Sequence, residues 1–112
     1  MIIRETDPGP ARVISLQGDL NQEAAVQVRH RFDQVLRRAG RKARLVVDLA
    51  GVEYISAGGL KTILHLLREI NRLDGRMVVC GLKEYPAEVF EATQVAALVS
   101  IRPDIPSALE EF

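Results

Sequence analysis

The chain has no Trp, two Tyr, three Phe and a single Cys among 112 residues. With so few rings, its interior has to be filled by aliphatic side chains. One Cys excludes an intrachain disulfide. Cys80 lies in the apolar run Met77-Val-Val-Cys80 and reads as a small buried hydrophobe. No His, Asp or Glu stands at zinc-ligand spacing from it, so no metal site is expected. An excess of one charge is also lacking, because 15 Lys and Arg balance 15 Asp and Glu. That balance gives no support to direct nucleic-acid binding. No apolar run approaches the roughly 20 residues of a membrane span. The N-terminus lacks a basic-then-apolar signal segment. A cytoplasmic protein without a transmembrane segment is the consistent expectation.

What is present fits a compact fold. Hydrophobic residues make up 47% and charged residues 27% of the chain. A chain of this length builds one domain, residues 1–112, around one modest core. Met1–Glu5 and Ala11–Leu16 read as strands joined through Pro8-Gly-Pro10, which gives a hairpin. A helix is expected from Gln22 to Ala39, buried along Ala25, Val28, Phe32, Val35 and Leu36 and ended by Gly40. The basic cluster from Arg37 to Arg44 reads as a solvated helix end that suits the dipole. Ala43–Leu49 is a nearly continuous apolar run, which points to burial on both faces or a parallel neighbour. The clearest helix runs from about Gly58 to Leu73. Arg76–Cys80 follows as a strand, then a shorter helix with Pro86 in its first turn and Val89 and Phe90 as anchors. Ala97–Ile101 is expected to be the last strand. Asp104 then caps a terminal helix whose Ile105, Ala108, Leu109 and Phe112 share one face and pack at home. Strands alternating with helices define an α/β layer fold.

The segment Leu45-Val-Val-Asp-Leu-Ala-Gly-Val-Glu-Tyr-Ile-Ser-Ala-Gly-Gly-Leu60 carries the most information. An apolar strand closes on Asp48, a polar loop follows, and Ser56 stands as N-cap of the next helix. Two glycines at a helix start call for a reason, since Gly is a poor helix former. Two readings stand: an ordinary cap with a tight entry, or a recognition or anion site that a partner surface approaches closely.

Catalytic sets are missing. Ser56 is the best nucleophile, but His65 lies more than two turns further along the same helix. His30 sits off the buried stripe of an earlier helix. No nucleophile elbow, Walker loop or dinucleotide fingerprint occurs. Asp19, Asp48 and Glu53 are carboxylates near strand ends whose spacing specifies no cation. No enzyme activity and no cofactor are expected.

The order of short motifs resembles the STAS domain, the fold of anti-sigma factor antagonists. Ser56-Ala-Gly-Gly-Leu60 is similar to that family's Asp-Ser-Ser-Gly-Leu signature and its variants. Val13-Ile-Ser-Leu-Gln-Gly-Asp-Leu-Asn21 resembles the second strand and its Gly-Glu-Leu-Asp turn, with Asp19 at the acidic position and Asn21 where Asp is common. Met77–Leu82 resembles the later strand that ends in Gly. Glu88–Val95 resembles the short helix that usually ends in Thr-Gly. The resemblance implies an α/β, STAS-like single domain, a small mixed β-sheet with helices packed mainly on one face. It implies a non-enzymatic signalling module. Such a module binds an anti-sigma factor that is also a serine kinase of the histidine-kinase-like ATPase fold, and so releases a sigma factor. In the family, phosphorylation breaks the complex and a serine phosphatase restores it. The phosphorylated serine matches Ala57, which has no hydroxyl, and Ser56 is the one candidate acceptor left nearby.

The expected partner surface joins the Asp19–Asn21 turn to the Tyr54–Leu60 helix start. Tyr54 offers contact area, Asp19 and Asn21 offer polar contacts, and Gly58 and Gly59 permit close approach, beside Ser56, Ala57 and Leu60. A bulky residue at Gly59 is expected to weaken partner binding more than folding. The alternative function is a constitutive scaffold subunit of a stressosome-like or lipid-transport complex.

Overall fold

The computed structural model describes residues 1–112. Strand β1 (Ile2–Thr6) pairs antiparallel with β2 (Arg12–Gln17). Helix α1 (Gln22–Ala39) leads to β3 (Arg44–Gly51), and α2 (Ala57–Arg72) leads to β4 (Arg76–Cys80). Helix α3 (Glu84–Ala92), a single 3-10 turn (Val95–Ala97), β5 (Ser100–Arg102) and α4 (Ile105–Leu109) complete the chain. The sheet has five strands in the order β1-β2-β3-β4-β5, and β2 to β5 are parallel.

That monotonic order decides where the helices lie. Crossovers between parallel strands share one hand, so stepping always in the same direction sets each connecting helix on the same face. Helices α1, α2 and α3 accordingly bury Val28, Phe32, Ile63, Leu66, Ile70 and Phe90 against Ile14, Leu16, Leu45, Val47, Leu49 and Val79. The alternate residues of the same strands, Val13, Val46, Val78 and Cys80, point to the other face. Helix α4 covers them with Ala108, and Ile105, Leu109 and Phe112 pack around it. The apolar run of β3 is thus continuous because both of its faces are covered. A mixed sheet with helices mainly on one face is the architecture expected.

Two expectations need correction. Strand β3 does not close on Asp48 but continues to Gly51. In register, Ser15, Asp48 and Cys80 lie side by side across three strands. Ser15 Oγ donates to Asp48 Oδ2 at 3.0 Å, and the Ala50 N–H donates to Oδ1 at 3.0 Å. These partners satisfy the carboxylate inside the strand. The last strand is also displaced from Ala97–Ile101 to Ser100–Arg102. Gln94 takes a left-handed conformation, φ 64°, and starts a 3-10 turn through Ala97 that leaves Leu98 exposed. Pairing with β4 resumes only at Ser100.

Candidate functional site

Parallel strands put the starts of all following helices at one end of the sheet. The turn after β2 and the loop after β3 meet there. Backbone bonds lace them together: Leu20 N–H donates to Tyr54 O, and Ser56 N–H donates to Leu20 O, both at 2.9 Å. Leu20 and Ile55 form an isolated parallel bridge and are both buried. Two short segments 35 residues apart in sequence therefore form one rigid ledge.

Each helix start on this ledge is capped. Asn21 Oδ1 accepts from Ala24 N–H at 2.8 Å and caps α1. Ser56 Oγ accepts from Gly59 N–H at 3.1 Å and caps α2. The cap expected of Ser56 is present. The carbonyl of Asn21 is engaged in the same way, which leaves its amide NH2 for other contacts. Ala57 is exposed on the first turn of α2, and Asp19 is exposed on the turn.

Gly58 and Gly59 play different parts. Gly59 is buried, and a Cβ there would overlap Leu20 O and lie 2.8 Å from Leu20 Cγ. The close approach that Gly59 permits is to its own chain, so a bulky residue there strikes folding first. This corrects the expectation that partner binding would suffer more. Leu60 is likewise buried, in the main core. A Cβ on Gly58 would meet the side-chain amide of Gln22, an exposed and flexible group.

Tyr54 stacks on Tyr85 of α3, with ring centroids 5.8 Å apart and planes 7° from parallel. They are 43% and 47% exposed, so the pair presents a broad amphipathic face to solvent. Lys83 Nζ bridges to Glu53 Oε1 at 3.2 Å beside it. Tyr85 is not among the residues of the partner surface expected above. A signal existed: the chain's two tyrosines both follow a Glu just beyond a strand end, as Glu53-Tyr54 and Glu84-Tyr85.

No reaction centre forms on the ledge. His65 lies nine residues beyond Ser56, roughly 13 Å along the helix axis, and its Nε2 faces Asp33 Oδ1 at 3.4 Å. His30 is exposed and faces Gln34. Burial first, and then the Asp48 carboxylate, push the Cys80 thiol up to about 12, which leaves it without nucleophilic thiolate. No cluster of three or more His, Cys, Asp or Glu could hold a metal ion. No helix is long and apolar enough to cross a membrane.

The capped helix starts and the exposed tyrosine pair thus lie at one end of the α/β sheet. Residues 2–108 match the model of the STAS domain family, and the chain belongs to that family. The candidate anti-sigma factor antagonist BtrV of Bordetella bronchiseptica is 32% identical over 91 residues, 81% of this chain and 74% of that protein. The anti-sigma F factor antagonist of Paenibacillus polymyxa is 23% identical over 100 residues, 89% of this chain and 85% of that protein. The crystal structure of an anti-sigma factor antagonist from Mycobacterium paratuberculosis superposes with a TM-score of 0.87 at 19% identity, covering 98% of this chain and 92% of that one. At that identity the likeness concerns the fold alone. Anti-sigma factor antagonists of this family are non-catalytic regulatory domains, and the homology supports a partner-switching role.

Proposed function

We propose that the chain binds an anti-sigma factor of the histidine-kinase-like ATPase fold through the ledge, and that it stays bound without a phosphoserine switch. By occupying the anti-sigma factor it releases a sigma factor. Asp19, the Asn21 amide, Tyr54, Ser56, Ala57 and Gly58 form the contact face, joined by Tyr85. The observation that carries the constitutive part is Ala57, exposed on the first turn of α2 where the family places its phosphorylated serine. A methyl group cannot accept phosphate, so a serine phosphatase has no substrate at that position. Ser56 lies one residue earlier, and its hydroxyl oxygen is engaged in the cap. Moving an acceptor by one residue turns it away from a docked kinase, and phosphoryl transfer tolerates misplacement poorly.

The test combines the anti-sigma factor, ATP and this chain, followed by phosphopeptide mapping and sizing of the complex. No incorporation with an intact complex is the expected result. Ala57→Ser is expected to restore phosphorylation and release. Stoichiometric phosphate on Ser56 that frees the partner would overturn the proposal. Ala57 also favours a second reading, a permanent subunit of a scaffold complex. Sigma factor that remains bound to its inhibitor while this chain joins a larger assembly selects that reading.

A further inference from the structure

Helices α1 and α2 each follow a strand of the parallel set, so they run parallel and start at the same end. The seam between them opens as a groove of about 520 Å³. Gln22, Val26 and Arg29 of α1 and Lys61, His65 and Arg68 of α2 line it, and no carboxylate does. This is a local asymmetry in a chain whose charges balance. Most other arginines are paired. Arg12, Arg31 and Arg38 sit on Glu5, Arg41 on Asp74, and Arg76 and Arg102 on Glu111. Arg29, Lys61 and Arg68 make no ion pair and are exposed.

The excess is greatest in the first half of the seam, which no carboxylate lines. A second cavity of about 490 Å³ continues it and shares Arg29 and His65. There, Asp33 faces His65, and Glu69 pairs with Arg72 at 2.7 Å. Positive helix-dipole ends at both starts add to the field of the three free cations. Apolar surface lies among them, since Val26 is 72% exposed and Leu64 is half-buried.

We propose that this groove binds an acidic, amphipathic helical segment of a protein partner. Its carboxylates engage Arg29, Lys61 and Arg68, and an apolar side chain rests on Val26 and Leu64. The cations stand on two facing walls of a concave channel, a shape that admits a helix and not the flat face of a bilayer. The inference goes beyond the proposed function, because its test involves neither the tyrosine pair nor the α2 cap.

The probe is a fluorescein-labelled helical peptide of about 16 residues, roughly 24 Å long, with Glu along one face and Leu along the next. Anisotropy with the full chain measures affinity, and amide chemical shifts locate the peptide. Shifts are expected over 22–29 and 61–68. Arg29→Glu/Arg68→Glu is expected to weaken binding at least about tenfold, with electrostatic complementarity reversed. Arg4→Glu/Arg44→Glu makes the same change in net charge on exposed, unpaired arginines away from the seam and is expected to weaken it less than about threefold. Melting curves of both variants check that they fold. Equal losses in the two variants, shifts centred elsewhere, or no binding at millimolar peptide would each overturn the proposal. Binding to phosphatidylglycerol vesicles that needs the groove cations, with no binding of the peptide, would assign the groove to a membrane surface and overturn it as well.

Discussion

Replacing each of the two glycines at the α2 start by alanine separates their roles. In Gly59→Ala the new Cβ overlaps Leu20 O and lies 2.8 Å from Leu20 Cγ and 3.2 Å from its carbonyl carbon. That carbonyl cannot move freely, because it accepts the Ser56 N–H at 2.9 Å. Overpacking against fixed neighbours costs about 1–3 kcal/mol, and a strained hydrogen bond adds about 1 kcal/mol. Alanine returns about 1 kcal/mol through helix propensity. The net expectation is a loss of about 1–3 kcal/mol, or about 4–12 °C in Tm for a domain of this size. In Gly58→Ala the Cβ meets only the flexible end of Gln22, and the next atom, Gln22 Cα, lies at 3.5 Å, an ordinary contact. Once that amide swings away, the propensity gain remains, so the variant is expected to be unchanged or stabler by up to about 1 kcal/mol. Urea titrations followed by far-UV circular dichroism, analysed with a common m-value, measure both. Gly59→Ala matching or exceeding Gly58→Ala in stability would refute the assignment of Gly59 to internal packing.

Three further outcomes are expected. Gln94 holds φ 64°, where a Cβ is costly. Gln94→Gly is expected to raise stability by about 0.5–1 kcal/mol, and a lower denaturation midpoint would contradict that account. Burial raises the Glu5 pKa, but the Arg31 hydrogen bond and the Arg38 and Arg31 charges outweigh it and hold it below its ordinary 4.5. The stability that Glu5 contributes is therefore present above the unfolded-state value and lost as pH falls through the folded-state value. The gap in urea midpoint between wild type and Glu5→Gln should be widest near neutrality and shrink in acid, and a pH-independent gap would count against a stabilising role for the Glu5 ion pairs. Cys80 is fully buried, with its thiol pushed up to about 12. A disulfide reagent at pH 8 should modify it only in denaturant, and rapid reaction of the native protein would show that the second face of the sheet opens.

Local patterns made most elements legible. The bounds of α1 and β4 are those expected from apolar spacing, with Gly40 ending α1 and Arg76–Cys80 forming β4. Ser56 and Asp104 cap as their positions indicate, because an N-cap needs only a short polar side chain and free N–H groups three residues on. Thr93-Gln94 stands where the resemblance expects Thr-Gly, and Gln94 is left-handed, a conformation that favours Gly. The last strand was misplaced because its three residues carry too little pattern to compete with the apolar run before them.

Residue types and their spacing were enough for the α/β alternation, the aliphatic core, the caps and the absence of a hydroxyl at Ala57. Each depends on residue type or on spacing along a single element. What lies beside what came from the packed fold. It set Leu20 against Gly59 and so turned an expected partner contact into internal packing. It stacked Tyr85 on Tyr54 across 31 residues of chain. It gathered Arg29, Lys61 and Arg68 from two helices onto one groove. Such neighbours come from the strand order, which carries separate segments to the same end of the sheet, and no local periodicity records it.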